Sequence, residues 1–118
     1  MYIDGYVIPV PEAKKQAYRE MAEWFDGRMC EFGALEVTEC WELDIPEGKR
    51  TDLRKAVLAE DGEKVVLSWI VWPDKATADA AHDRIHEDER FLAMTEIPFD
   101  GRRMIMGGFE PLLRIARN

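Results

Sequence analysis

The sequence predicts an α+β fold, a single antiparallel sheet with two helices laid across one face. Three observations carry this expectation. Runs rich in Val, Ile, Tyr and Trp recur at Tyr2–Val10, Ala34–Leu43, Val65–Trp72 and from Met104 onward. Two stretches with helical spacing of apolar residues fall between them. The 118 residues, 47% of them apolar, are one domain's worth of chain with a core of its own, residues 1–118.

Each element has a local reason. Tyr2 to Val10 is the first strand, ending in Pro9-Val10-Pro11. Pro11 suits the first position of a helix, and Glu12 favours its N-terminal dipole. Ala17, Met21, Trp24, Phe25 and Met29 continue that helix to Phe32, where Gly33 supplies a stop. Gly27 inside it costs about 1 kcal/mol relative to alanine, enough to permit a bend. From Ala34 to Leu43 the residues alternate. Leu35, Val37, Glu39, Trp41 and Leu43 form one face, and Glu36, Thr38, Cys40 and Glu42 the other.

Asp44 to Asp52 contains Pro46 and Gly48 and reads as a loop. Ala56–Ala59 and Val65–Trp72 are expected to form a hairpin across Glu60-Asp61-Gly62-Glu63. Pro73 ends that strand, and Asp74 caps a second helix from Lys75 to about Glu87, with Thr77, Ala78, Ala81 and Ile85 as its stripe. Asp88 to Met94 reads as one more helical turn, Pro98-Phe99-Asp100-Gly101 as a turn, and Met104 to Leu112 as the last strand. The order is β-α-β-(β)-β-α-β. It implies a sheet ordered last, first, third, second, with the short extra strand near an edge.

Two helices cover one side of such a sheet, yet its strands are apolar on both. Val65–Trp72 sets Val65, Leu67, Trp69 and Val71 against Val66, Ile70 and Trp72. An antiparallel sheet with one wet face alternates oily and polar residues instead. A twofold homodimer packed sheet face to sheet face is therefore the expected partner arrangement.

Sixteen Lys and Arg against twenty-four Asp and Glu leave a net charge of −8. Such a surface repels phosphate backbones and anionic lipid, so neither nucleic acid nor membrane is an expected partner. The longest apolar run is far short of the ~20 residues of a spanning helix. With no export signal at the N-terminus, and only Cys30 and Cys40 as cysteines, the expectation is a cytoplasmic protein with reduced, inert thiols.

The opening Tyr2-Ile3-Asp4-Gly5-Tyr6-Val7-Ile8-Pro9-Val10-Pro11 resembles the DUF1428 (YbaA-like) family of small bacterial proteins. So do Glu39-Cys40-Trp41, Val65-Val66-Leu67-Ser68-Trp69-Ile70 and the run from Pro98-Phe99-Asp100-Gly101 to Gly107-Gly108-Phe109-Glu110. The resemblance implies a ferredoxin-like protomer in a dimeric α+β barrel, and no established biochemical function.

Six residues are candidates for lining a pocket between sheet and helices: Asp4, Glu39, Trp41, Ser68, Trp69 and Arg103. Glu39 interrupts an apolar face, so burial without a partner would raise its pKa and fit it for proton transfer. An exposed Glu39, or one paired to an arginine, removes that role. Asp4 sits among Tyr2, Tyr6 and Ile8, opposite the Gly107–Glu110 end of the last strand. Ser68 is the polar residue of the most buried strand, with no His–acid pair spaced to activate it. Arg103 suits an anionic group or, more simply, a structural carboxylate. His82 and His86 have metal-ligand spacing but lack a third ligand and are expected at the surface. No nucleotide loop is present, and neither cofactor nor metal is expected. The readings left open are a small-molecule binder, a cofactor-independent oxygenase- or isomerase-like enzyme with Glu39 or Asp4 moving a proton, and a ligand-free structural dimer.

Overall fold

A computed structural model describes all 118 residues. Strands β1 (Tyr2–Pro11), β2 (Glu36–Trp41), β3 (Glu63–Trp72) and β4 (Ile105–Phe109) form one antiparallel sheet ordered β2-β3-β1-β4. This is the strand order expected from the sequence. The register pairs Tyr2 with Trp72, Tyr6 with Ser68, Glu39 with Ser68, and Asp4 with Gly108. Side chains alternate across a sheet, so even-numbered residues of β1 and β3 share one face with odd-numbered residues of β2.

That face carries the helices. After a 3-10 turn at Glu12–Lys14, α1 runs from Lys15 to Glu31. It buries Tyr18, Ala22 and Met29 against β1 and β3. The buried stripe is rotated from the expected one, because Ala17 stays exposed and Met21 is only half-buried. Gly27 sits inside α1 without breaking it. Gly33 stops the helix at a φ of 118°, and a side chain there would collide with the Thr77 methyl. Helix α3 (Lys75–Ile85) begins at Asp74, whose carboxylate accepts from the Thr77 amide at 2.7 Å. Small Ala78 and Ala81 let it lie close on Ile70 and Trp72. The expected further turn is the short α4 (Glu89–Leu92).

One expectation fails. The stretch expected to supply the extra strand, Ala56–Ala59, contains no strand. Leu53–Ala56 is the short helix α2, capped by Asp52 accepting from the Lys55 amide. Leu58 then takes a φ of 53°, which a strand cannot accommodate. A four-residue apolar run was too short to outweigh a cap and a tight turn.

The opposite face of the sheet has no cover within the chain. Leu67, Ile105 and Phe109 are exposed there, with Ile3, Val7, Trp69 and Val71 half-buried beside them. The phenyl ring of Phe109 lies over the space left by Gly5 and Gly107.

Candidate functional site

The register sets a polar row beneath the helices. Glu39 of β2, Ser68 of β3 and Tyr6 of β1 stand side by side, with Asp4 one rung further along. Two separate clusters are built on this row.

The first lies between α1 and β2. Tyr18 and Asp26 stand on the stripe of α1 that faces the sheet, two turns apart, with Ala22 between them. The Tyr18 hydroxyl donates to Glu39 Oε1 at 2.6 Å. Asp26 lies within hydrogen-bonding reach of the same Glu39 carboxylate. Burial, and then the hydrogen bond and charge of Glu39, push the Asp26 carboxyl up to about 9. Two carboxylates this close cannot both ionise cheaply, so at neutral pH the pair holds one proton between them. Burial also raises the phenols of Tyr18 and Tyr6, with Glu39 the next cause for Tyr18 and Asp4 for Tyr6.

A half-open cleft of about 840 Å³ surrounds this pair, lined by Tyr18, Asp26, Glu39, Trp41, Val66 and Lys15 among others. The Lys15 ammonium lies 5.1 Å from the Trp41 ring centre, at a cation–π distance. Apolar surface and converging polar groups are the ordinary composition of a small-molecule site.

The second cluster centres on Asp4, which is buried. Its Oδ2 accepts from the Trp72 indole N–H at 2.9 Å and stands 2.8 Å from His82 Nε2. With the carboxylate as acceptor, Nε2 carries the hydrogen, on a ring that is half-buried. Gly108, across from Asp4, leaves space that the Tyr2 hydroxyl fills; a Cβ there would overlap it. The Gly107-Gly108 pair therefore answers to close packing on both faces.

The candidates named from sequence divide accordingly. Glu39 and Trp41 line the cleft, and buried Ser68 stands next to Glu39 in the register. Glu39 is exposed, which removes it as a buried proton carrier; the carboxyl that burial shifts is Asp26. Asp4 is on the same face but belongs to the other cluster. Trp69 points to the opposite face, in register with Gly5 and Thr38. Arg103 grips Glu63 with two bonds of 2.7 and 2.8 Å and Asp100 at 3.1 Å, a structural clamp that holds Asp100 at about 2. His82 keeps part of its ring at the surface but turns Nε2 inward to Asp4, whereas His86 packs edge-on against Phe91.

Sequence reading missed Asp26, Tyr18 and His82. The spacing Tyr18, Ala22, Asp26, Met29 does mark one helical face, and an acid on a buried stripe was the available signal. His82 offered none, since its partner is 78 residues away.

These features define a class: an α+β protein with helices on one face of a four-stranded antiparallel sheet. A crystal structure of an uncharacterized NIPSNAP domain protein from Burkholderia xenovorans is similar in fold, with a TM-score of 0.57 over 99% of this chain and 100% of that one. At 15% identity the likeness is one of fold alone. The chain belongs to the family described as Protein of unknown function (DUF1428), matched over residues 1–101, as the resemblance in the sequence implied. It is similar to the Uncharacterized protein YbaA of Escherichia coli (strain K12) and of Shigella flexneri. Each is 51% identical over 113 residues, spanning 95% of this chain and 97% of the relative. No helix is long and apolar enough to cross a membrane.

Proposed function

We propose that this protein is a cytoplasmic homodimer, a ferredoxin-like protomer paired sheet to sheet as a dimeric α+β barrel, in which each subunit binds a small, partly apolar molecule in the α1–β2 cleft. The observation that carries the binding reading is the convergence of Tyr18, Asp26 and Glu39 on a cleft walled by Trp41 and Val66. In this reading the aromatic and aliphatic walls take the apolar part of the ligand. The carboxyl pair and the tyrosine hydroxyl fix its polar end. The uncovered apolar face, with Leu67, Ile105 and Phe109 exposed, supports the dimer, since a solvated face of that kind is costly.

A second reading, cofactor-independent proton transfer, is favoured by one specific observation. Asp26 carries a proton at neutral pH at the wall of the cleft, as a general acid must. Asp26 would then donate to the bound molecule and recover its proton from solvent at the cleft mouth.

Thermal-shift screening of the protein against a library of small metabolites tests both readings. A true ligand raises Tm further with each increase in its concentration, and it quenches or shifts Trp41 fluorescence. Asp26→Asn and Trp41→Ala are each expected to weaken that ligand at least tenfold. A flat response across the library, or a ligand indifferent to both substitutions, overturns the assignment of the cleft.

A further inference from the structure

Beyond Phe109 the chain leaves the sheet as a terminal arm, Pro111–Asn118, exposed from Leu112 onward. Leu112, Leu113 and Ile115 are 99%, 75% and 86% exposed. Three large aliphatics on so short a segment are poorly suited to water. The arm is also basic, with Arg114 and Arg117 in a chain whose net charge is −8.

At the other edge of the sheet, β2 has a neighbour on one side only. Its outer edge leaves backbone donors and acceptors free to pair with an added strand. Two exposed acids, Glu36 and Glu39, stand on it three residues apart, the same spacing as Arg114 and Arg117. Leu35 and Leu43, just beyond its two ends, are 60% and 98% exposed. The arm and this edge match in length, charge and apolar content.

We propose that the arm of a second copy of this chain adds along the free edge of β2, with Arg114 and Arg117 facing Glu36 and Glu39. The exchange rests on the sheet-to-sheet dimer proposed above. A twofold axis parallel to the strands stacks β4 of one copy over β2 of its partner. Packed sheets are separated by ~10 Å, and eight extended residues reach ~26 Å. The arm's own β2 is a worse target. An added strand beside it lies four strand spacings from β4, and crossing them uses ~19 Å of that reach, too much to leave a strand's length for pairing. Because Glu39 also lines the cleft, the added strand walls the half-open side and brings an arginine of the partner to the Asp26–Glu39 pair.

Sedimentation equilibrium and amide hydrogen exchange over residues 35–43 test the exchange in the full-length chain. Arg114→Glu/Arg117→Glu and Leu113→Asp/Ile115→Asp are each expected to raise the dimer dissociation constant at least tenfold. Both should speed exchange along β2 at least tenfold. Raising salt from about 50 to 500 mM should weaken the wild-type dimer and strengthen that of the arginine variant, in which like charges face one another. A wild-type dimer whose dissociation constant and β2 exchange are unmoved by either variant overturns the arm exchange and leaves the dimer standing. A wild-type chain monomeric at 100 μM overturns both. Protection of β2 that persists below the dissociation constant assigns the edge to the chain's own arm and refutes the exchange.

Discussion

Asp4 and Asp26 are both aspartates held between sheet and helices, yet they meet opposite kinds of neighbour. Asp4 is deeply buried, at 5% exposure, and a Trp72 indole and a His82 imidazole both meet its oxygen. Asp26 is half-buried, and the polar group that acts on it is another carboxylate. What separates them is whether the neighbours donate hydrogen bonds or compete for the same proton. The Asp4 cluster thus reads as structure, and the Asp26 cluster as a place where a proton can be moved.

The largest effect should come from breaking the Asp4 side of this contrast. Asp4→Ala strands the indole N–H of buried Trp72 and the imidazole of His82 without an acceptor. Hydrogen bonds to a buried charge contribute about 1.5–3 kcal/mol each, so a loss of about 3 kcal/mol is expected. Urea unfolding at a fixed protein concentration measures it as a lower midpoint with an unchanged slope. A loss below about 1 kcal/mol would mean that Asp4 is no anchor, and the distinction between the two clusters would fail.

Much of this arrangement was legible in the sequence, for reasons that differ by residue. Strict alternation in Ala34–Leu43 set Glu39 on the helix face beside Trp41, and β3's continuous apolar run made it a central strand. Pro73-Asp74 marked the start of α3 because proline ends a strand and aspartate caps a helix. Asp26 escaped because Trp24 and Phe25, the bulkiest residues of α1, drew the expected stripe toward themselves. The burial of Tyr18, Ala22 and Met29 shows that the sheet is met by a neighbouring face. The contact between His82 and Asp4 joins α3 to β1, and no local pattern encodes a pairing across the fold.

The next effect is of opposite sign and depends on pH. Asp26 ordinarily titrates near 3.8 and is raised to about 9 in the folded chain. Between those values the unfolded chain has lost a proton that the folded chain still holds. Stability therefore falls as pH rises across that window, and the contribution of Asp26 levels off above it. Asp26→Asn keeps a donor toward Glu39 and removes the titration. It should stabilise the protein by about 1–2 kcal/mol at pH 8, a figure discounted for solvent at the cleft mouth, with the gain shrinking toward pH 4. Urea unfolding at several pH values measures the trend, and a gain independent of pH would contradict the shared proton.

The smallest effect sharpens the same cluster. Tyr18 donates to Glu39 at 2.6 Å. Tyr18→Phe removes the donor and leaves the ring in place, so stability should change by less than about 1 kcal/mol. The informative readout is the titration of the pair. With the proton on Asp26, the hydroxyl meets the same Glu39 oxygen before and after that proton leaves, so the Asp26 titration should stay within about 0.3 units of its wild-type midpoint. Carboxyl-carbon NMR of the Asp26 side chain measures it. A rise of roughly half a unit or more, the equivalent of a hydrogen bond of about 1 kcal/mol, would mean that the proton rests on Glu39 rather than Asp26.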